Sequence, residues 1–201
     1  MNGIKSICVY CGSGPGTNPA FVHAAREFGR ILAENKIRLV YGGGSVGLMG
    51  ALAMSVVDHG GIVTGIIPDF LTEREFMFQG AQEMIVTRDM HERKKLMFEH
   101  ADAFVALPGG IGTLEEMVEQ MTWAQLGRHK KPILLANIEN FWEPLCALVE
   151  HMRTMQFIRA GLTINLLVAD RVEDILPKLQ EAARAVAEPQ KEMTPVVAER
   201  L

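Results

Sequence analysis

Residues Ala103–Gly127 read AFVALPGGIGTLEEMVEQMTWAQLG. The apolar run Ala103 to Leu107 has the length of one buried strand, and it breaks at Pro108-Gly109-Gly110-Ile111-Gly112. Beyond the break, Leu114, Met117, Val118, Met121 and Leu126 recur at helical spacing. Thr113 stands where an N-cap belongs, with Glu116 three residues later. The stretch therefore predicts a strand, a glycine-rich turn and a helix N-terminus. Such a turn suits an anion: glycine lets a ligand approach the backbone, the first helical N–H groups lack internal partners, and the helix dipole is positive there. Phosphate is the usual guest. Glu116 has two compatible readings, a capping box with Thr113 and a catalytic carboxylate facing the sugar beside that phosphate.

Working outward in both directions, the same rhythm recurs. Strands are expected at Ile4–Tyr10, Ile37–Tyr41, Ile62–Ile67, Met84–Thr87, Pro132–Ala136 and Leu166–Ala169. Helices are expected at Pro19–Asn35, Leu48–His59, Asp89–His100, Phe141–Met155 and Val172–Ala187. Alternating strands and helices define an α/β fold, a Rossmann-like parallel sheet with helices on both faces and right-handed crossovers. Ligands in such sheets bind beyond the carboxyl ends of the strands. Three glycine turns, at 11–16, 42–47 and 109–112, fall at such ends and are expected to converge on one phosphorylated ligand. The segment Asp69–Gly80 lacks a clear period and reads as a loop or lid over that site. A single domain over residues 1–188 is expected, with residues 189–201 as a flexible C-terminal tail.

Composition narrows the function classes. The 201 residues are 48% hydrophobic and 22% charged with a net charge of −4, a globular chain without a basic block for nucleic acid. No apolar run reaches the roughly 20 residues of a membrane span, and the N-terminus does not read as a signal peptide. Three cysteines fit a reducing, cytoplasmic location. Cys8 and Cys11 straddle a strand end rather than opening a helix and have no second pair, so they read as structural.

Gly42-x-Gly44-x-x-Gly47 matches the dinucleotide fingerprint, with Asp69 near the place of a ribose-binding acid. Its position in the second βα unit, the second glycine-rich helix start at 109–112 and the placement of Asp69 after Pro68 count against a dinucleotide. Nucleophile elbow, Walker loop and H-E-x-x-H are all absent. Arg93 falls on the first turn of its helix, where the dipole disfavours a cation, so a bound anion or a carboxylate explains it better than solvent does. Lys95 reads as a solvated charge. Glu75 is either a surface charge of the lid or a hydrogen-bond acceptor for a ligand hydroxyl or base.

Pro108-Gly109-Gly110-Ile111-Gly112-Thr113-Leu114-Glu115-Glu116 matches the PGGxGTxxE signature of the Lonely Guy (LOG) family. Met90-His91-Glu92-Arg93-Lys94, Tyr41 to Gly50 and Thr122 to Gly127 also resemble its segments, and the resemblance covers about residues 4–180. It implies a homodimer that hydrolyses cytokinin riboside 5′-monophosphates, and AMP, to free base and ribose 5-phosphate, with neither metal nor cofactor. It implies Arg93 and Glu116 as the catalytic pair. Glu75, Arg93, Lys94, the run Gly110-Ile111-Gly112-Thr113-Leu114-Glu115-Glu116, and Thr122 would contact substrate. Arg93 could orient Glu116 and keep it ionised, or contact phosphate or ribose. Members are often labelled lysine decarboxylases, yet the chain shows no candidate Schiff-base lysine site for pyridoxal phosphate. Competing readings are a nucleotide or molybdenum-cofactor carrier on the same fold, and a nicotinamide-dependent oxidoreductase.

Overall fold

The computed structural model describes residues 3–72, 77–158 and 166–187. Among them, seven strands form one parallel sheet: β1 (Ser6–Tyr10), β2 (Arg38–Tyr41), β3 (Val63–Pro68), β4 (Glu83–Thr87), β5 (Ala103–Ala106), β6 (Ile133–Ala136) and β7 (Leu166–Ala169). Their spatial order is β4-β3-β2-β1-β5-β6-β7. The chain builds outward from β1 on one side, then returns to lay β5 against its other edge, with Ile7 opposite Ala103 and Tyr10 opposite Ala106. The order reverses between β1 and β5, and such a reversal opens a crevice at the carboxyl ends of the strands.

Among the described residues, six α-helices cover the two faces: α1 (Pro19–Glu34), α2 (Gly47–Asp58), α3 (Met90–Glu99), α4 (Ile111–Gln125), α5 (Glu143–Thr154) and α6 (Ile175–Ala187). The pleat of β1 shows why both faces are apolar. Ile7 and Val9 enter the core under α1, α2 and α6, beside Phe28, Leu52 and Leu179. Cys8 and Tyr10 enter the opposite core, beside Met97, Met117 and Val149. With side chains alternating between two buried layers, a central strand is apolar throughout. Cys8 and Cys11 therefore sit on opposite sides of the sheet, both free and buried. Burial pushes both thiols up, with the nearby Glu116 charge acting in the same direction, so neither offers a ready thiolate.

Two local expectations change. α4 begins at Ile111, and its N-cap is Gly110, which makes no side-chain capping bond. Thr113 is the third helical residue, 4% exposed, so the expected Thr113–Glu116 capping box does not form. Gly110 meets the backbone requirement of a cap by its extended conformation (φ −91°, ψ −158°), with Leu114 N donating to its carbonyl at 3.0 Å. The segment Asp69–Gly80 opens with a single helical turn at Asp69–Leu71. It then returns across the β2–α2 turn, where Met77 pairs with Gly44 and Phe78 N donates to Gly43 O at 3.1 Å. The expected tail, 189–201, lies outside the described residues.

Candidate active site

The crevice between β1 and β5 is a cleft of about 280 Å³. Tyr10, Cys11, Gly12 and Ser13 line it from the end of β1, Gly42 and Met49 from the second βα unit, Met90 and Arg93 from α3, and Gly110 to Thr113 with Glu115 and Glu116 from α4. The sheet topology thus brings together residues that lie far apart in the chain.

The two glycine-rich helix starts, at α2 and α4, differ in how open they are. At the start of α2 the amides of Leu48 and Met49 both point to the carbonyl of Gly12, at 3.1 and 3.4 Å. That helix end is capped by the β1–α1 loop and has little left for a ligand. Asp69 is exposed and does not line the cleft. Both facts weigh against the dinucleotide reading of Gly42–Gly47. At α4 the first backbone bond comes from Leu114, so the amides of Ile111, Gly112 and Thr113 precede the helical ladder and face the cleft rim. The helix dipole adds to their attraction for an anion. A Cβ at Gly110 or Gly112 would meet nothing within 4 Å, and neither residue has a positive φ. Nothing in the protein itself demands glycine at Gly112.

One turn further along α4, Glu116 meets Arg93. The residues are 8% and 7% exposed, and Nη1 of Arg93 lies 2.9 Å from Oε1 of Glu116. Asp89 caps α3, its side chain accepting from Glu92 N at 2.8 Å, which places Arg93 on the first turn with its side chain reaching inward. Nε donates to the carbonyl of Ile66 on β3 at 3.1 Å, and Nη1 also passes the sulfur of Met90 at 4.0 Å. A buried cation is thus matched by a carboxylate and a backbone acceptor, the condition for burying charge without a large penalty. The geometry realises the Arg93–Glu116 contact among the alternatives open to Arg93.

Lys94 forms a second rung between α3 and α4, with Nζ 2.6 Å from Glu115 and 2.9 Å from Glu119. Burial works against its charge, but the bonds it donates to the two carboxylates outweigh this and hold the ammonium above its ordinary value. Leu114 packs into the core beneath α4, and Thr122 is exposed with its hydroxyl donating to Val118 O at 2.8 Å. Neither lines the cleft, nor does Lys94. Glu75 lies outside the described residues. Sequence reasoning did not single out the Ile66 carbonyl, Glu119 or Gly42 as a cleft-lining residue. The first has no side-chain signature, Glu119 reads as one more helical charge, and Gly42 hides inside a run of glycines.

The cleft joins an anion-accepting helix end to a buried arginine–carboxylate pair at the switch point of a Rossmann-like sheet, the arrangement of a phosphate-holding α/β protein with a poised carboxylate. Residues 49–179 match the family described as "Possible lysine decarboxylase". A rice protein named "Probable cytokinin riboside 5'-monophosphate phosphoribohydrolase LOG4" is 46% identical over 180 residues, covering 90% of this chain and 78% of its own. The cytokinin riboside 5'-monophosphate phosphoribohydrolase of Rhodococcoides fascians is 42% identical, covering 88% of this chain and 89% of its own. The LOG1 protein of Arabidopsis thaliana is also 42% identical, over 88% of this chain and 83% of its own. The chain belongs to this family, the LOG proteins. Among solved structures, the molybdenum cofactor binding protein of Rippkaea orientalis superposes with a TM-score of 0.65 at 21% identity, over 94% of this chain and 99% of that one. That likeness shows a shared fold. The decarboxylase description does not fit the site: among the described residues no lysine lines the cleft, and the neighbouring Lys94 is held protonated, opposite to what a Schiff-base nucleophile needs.

Proposed function

We propose that the protein hydrolyses the N-glycosidic bond of cytokinin riboside 5′-monophosphates, and of AMP, giving free base and ribose 5-phosphate. The observation that carries this reading is the placement of a buried, ion-paired carboxylate one helical turn from three open backbone amides. With the 5′-phosphate on the amides of Ile111, Gly112 and Thr113, the sugar falls beside Glu116, and binding energy at the remote phosphate positions the reacting carbon. As the bond from C1′ to the base nitrogen breaks, its electron pair leaves with the base and positive charge develops on the sugar. Glu116 faces that charge and stabilises it, or takes a proton from the attacking water. The water's oxygen ends on C1′ and a proton ends on the base. Arg93 holds the carboxylate ionised and oriented through its charge-assisted hydrogen bond. Carriage of a ligand alone would need the amides but not this pair.

Within the run Gly110 to Glu116, the residues that line the cleft supply the substrate contacts in this reading, and Leu114 supports them from the core. Lys94 joins them by leaving Glu115 and Glu119 for the phosphate, and Glu75 and Thr122 are the further substrate contacts that the resemblance implies. The active form is a cytoplasmic homodimer, each chain folding as one domain over 1–188 with 189–201 as its tail. Exposed apolar side chains support the dimer: Leu126 beyond α4 and Phe157 beyond α5 are 75% and 83% exposed. Three free thiols support the location. Among the described residues no helix is long and apolar enough to cross a membrane.

The test is incubation with AMP and with isopentenyladenosine monophosphate, without added metal or cofactor, on protein that sediments at the mass of two chains. Chromatography is expected to show free base and ribose 5-phosphate from both. Absence of base from either, with binding intact, would leave a carrier. Gly112→Ala tests the phosphate position. The new methyl projects into the space assigned to the ligand and leaves the protein's own packing untouched. KM for AMP is expected to rise roughly tenfold, about the worth of one charge-assisted hydrogen bond. The melting temperature should hold or rise, since alanine loses less entropy than glycine on entering a helix.

A further inference from the structure

Gly42 follows directly on β2, and its backbone gives no reason for a glycine. Its neighbours Gly43 and Gly47 have φ of +84° and +61°, the left-handed region that suits glycine, but Gly42 is not among the positive-φ residues. What excludes a side chain at position 42 is Arg93. A Cβ built on Gly42 would overlap Nη2 of the guanidinium and lie 3.2 Å from the sulfur of Met49. The methionine can swing aside. The guanidinium cannot move without loss, because its other edges are committed to the Ile66 carbonyl and to Glu116.

We infer that Gly42 is a positioning residue: the missing side chain is the seat in which the Arg93 fork lies, and it sets where Arg93 presents Glu116. The contact acts through Arg93 alone, since Gly42 has no functional group of its own. The catalytic consequence rests on the proposed roles of Arg93 and Glu116, whereas the steric coupling between positions 42 and 93 does not.

The experiment is a double-variant cycle of Gly42→Ala and Arg93→Met, read by turnover of AMP and by melting temperature. Gly42→Ala is expected to lower kcat about a hundredfold, the usual effect of a displacement near 1 Å at a reacting group. KM should change far less, because the open amides of α4 are untouched. In the otherwise native chain the substitution is expected to lower the melting temperature. In the Arg93→Met background the loss should vanish or become a small gain, as alanine at an unstrained φ narrows the unfolded ensemble. Wild-type kcat for Gly42→Ala, or an equal loss of melting temperature in both backgrounds, would overturn the seat. If Gly42→Ala alone does not accumulate as folded protein, recovery of folded protein in the double variant supports the inference and failure to recover overturns it. Thermal coupling in a protein that releases base from no nucleotide would sink the proposed reaction and leave the seat standing.

Discussion

Glu116→Gln is expected to bind AMP within a few-fold of the native affinity and to lose hydrolysis. Glutamine has nearly the volume of glutamate, and its amide oxygen can still accept the bond from Nη1 of Arg93 that the carboxylate accepts at 2.9 Å. In the proposed reading, phosphate binding relies on the amides at the start of α4, which the substitution leaves in place. Only the charge is lost, and the charge is what the reaction needs: a neutral amide neither faces an oxocarbenium-like sugar with a full negative charge nor takes a proton from water. The fall in kcat is expected at about 10²- to 10⁴-fold, the range for removing a positioned acid–base group. Calorimetric titration with AMP reads the binding, and chromatographic release of adenine reads the rate. An unchanged rate would remove Glu116 from the chemistry. Weak binding together with a slow rate would instead mean that the carboxylate positions substrate.

Much of the scaffold was legible because each element obeys a local rule. The run Ala103–Leu107 is apolar because β5 is covered on both faces. The reading failed where a backbone group does what a side chain was expected to do. Thr113 looks like a cap, yet Gly110 needs only an extended backbone to serve as one, and it starts α4 earlier. The glycine turns at 42–47 and 109–112 look equivalent in sequence. They differ because the Gly12 carbonyl consumes the amides of Leu48 and Met49, a tertiary contact that no local pattern encodes. The site shows the same division. Arg93 attracted attention as a cation at the wrong helix end, and Glu116 as a carboxylate beside an anion site. That they meet depends on β5 crossing to the far side of β1, and that Arg93 is held at the Ile66 carbonyl and over Gly42 involves no distinctive side chain at all.

The consequence of that three-sided hold is clearest when the arginine is removed. Arg93→Ala is expected to lower both rate and affinity and to destabilise the fold. Without the guanidinium, a carboxylate that is 8% exposed loses the cation facing it, and the Ile66 carbonyl loses its donor. Breaking one side of a buried ion pair typically costs about 3–5 kcal/mol, which for a chain of this size is a fall in melting temperature of roughly 6–20 °C. Added anions should not restore the fold, because the vacated space adjoins a carboxylate. Guanidinium-bearing small molecules such as methylguanidine should restore part of both stability and rate, since they can bring the same fork to Glu116. Melting curves and AMP turnover, with and without methylguanidine, check these expectations. A variant with native melting temperature and native kcat/KM would make the Arg93–Glu116 pair a bystander to both folding and catalysis.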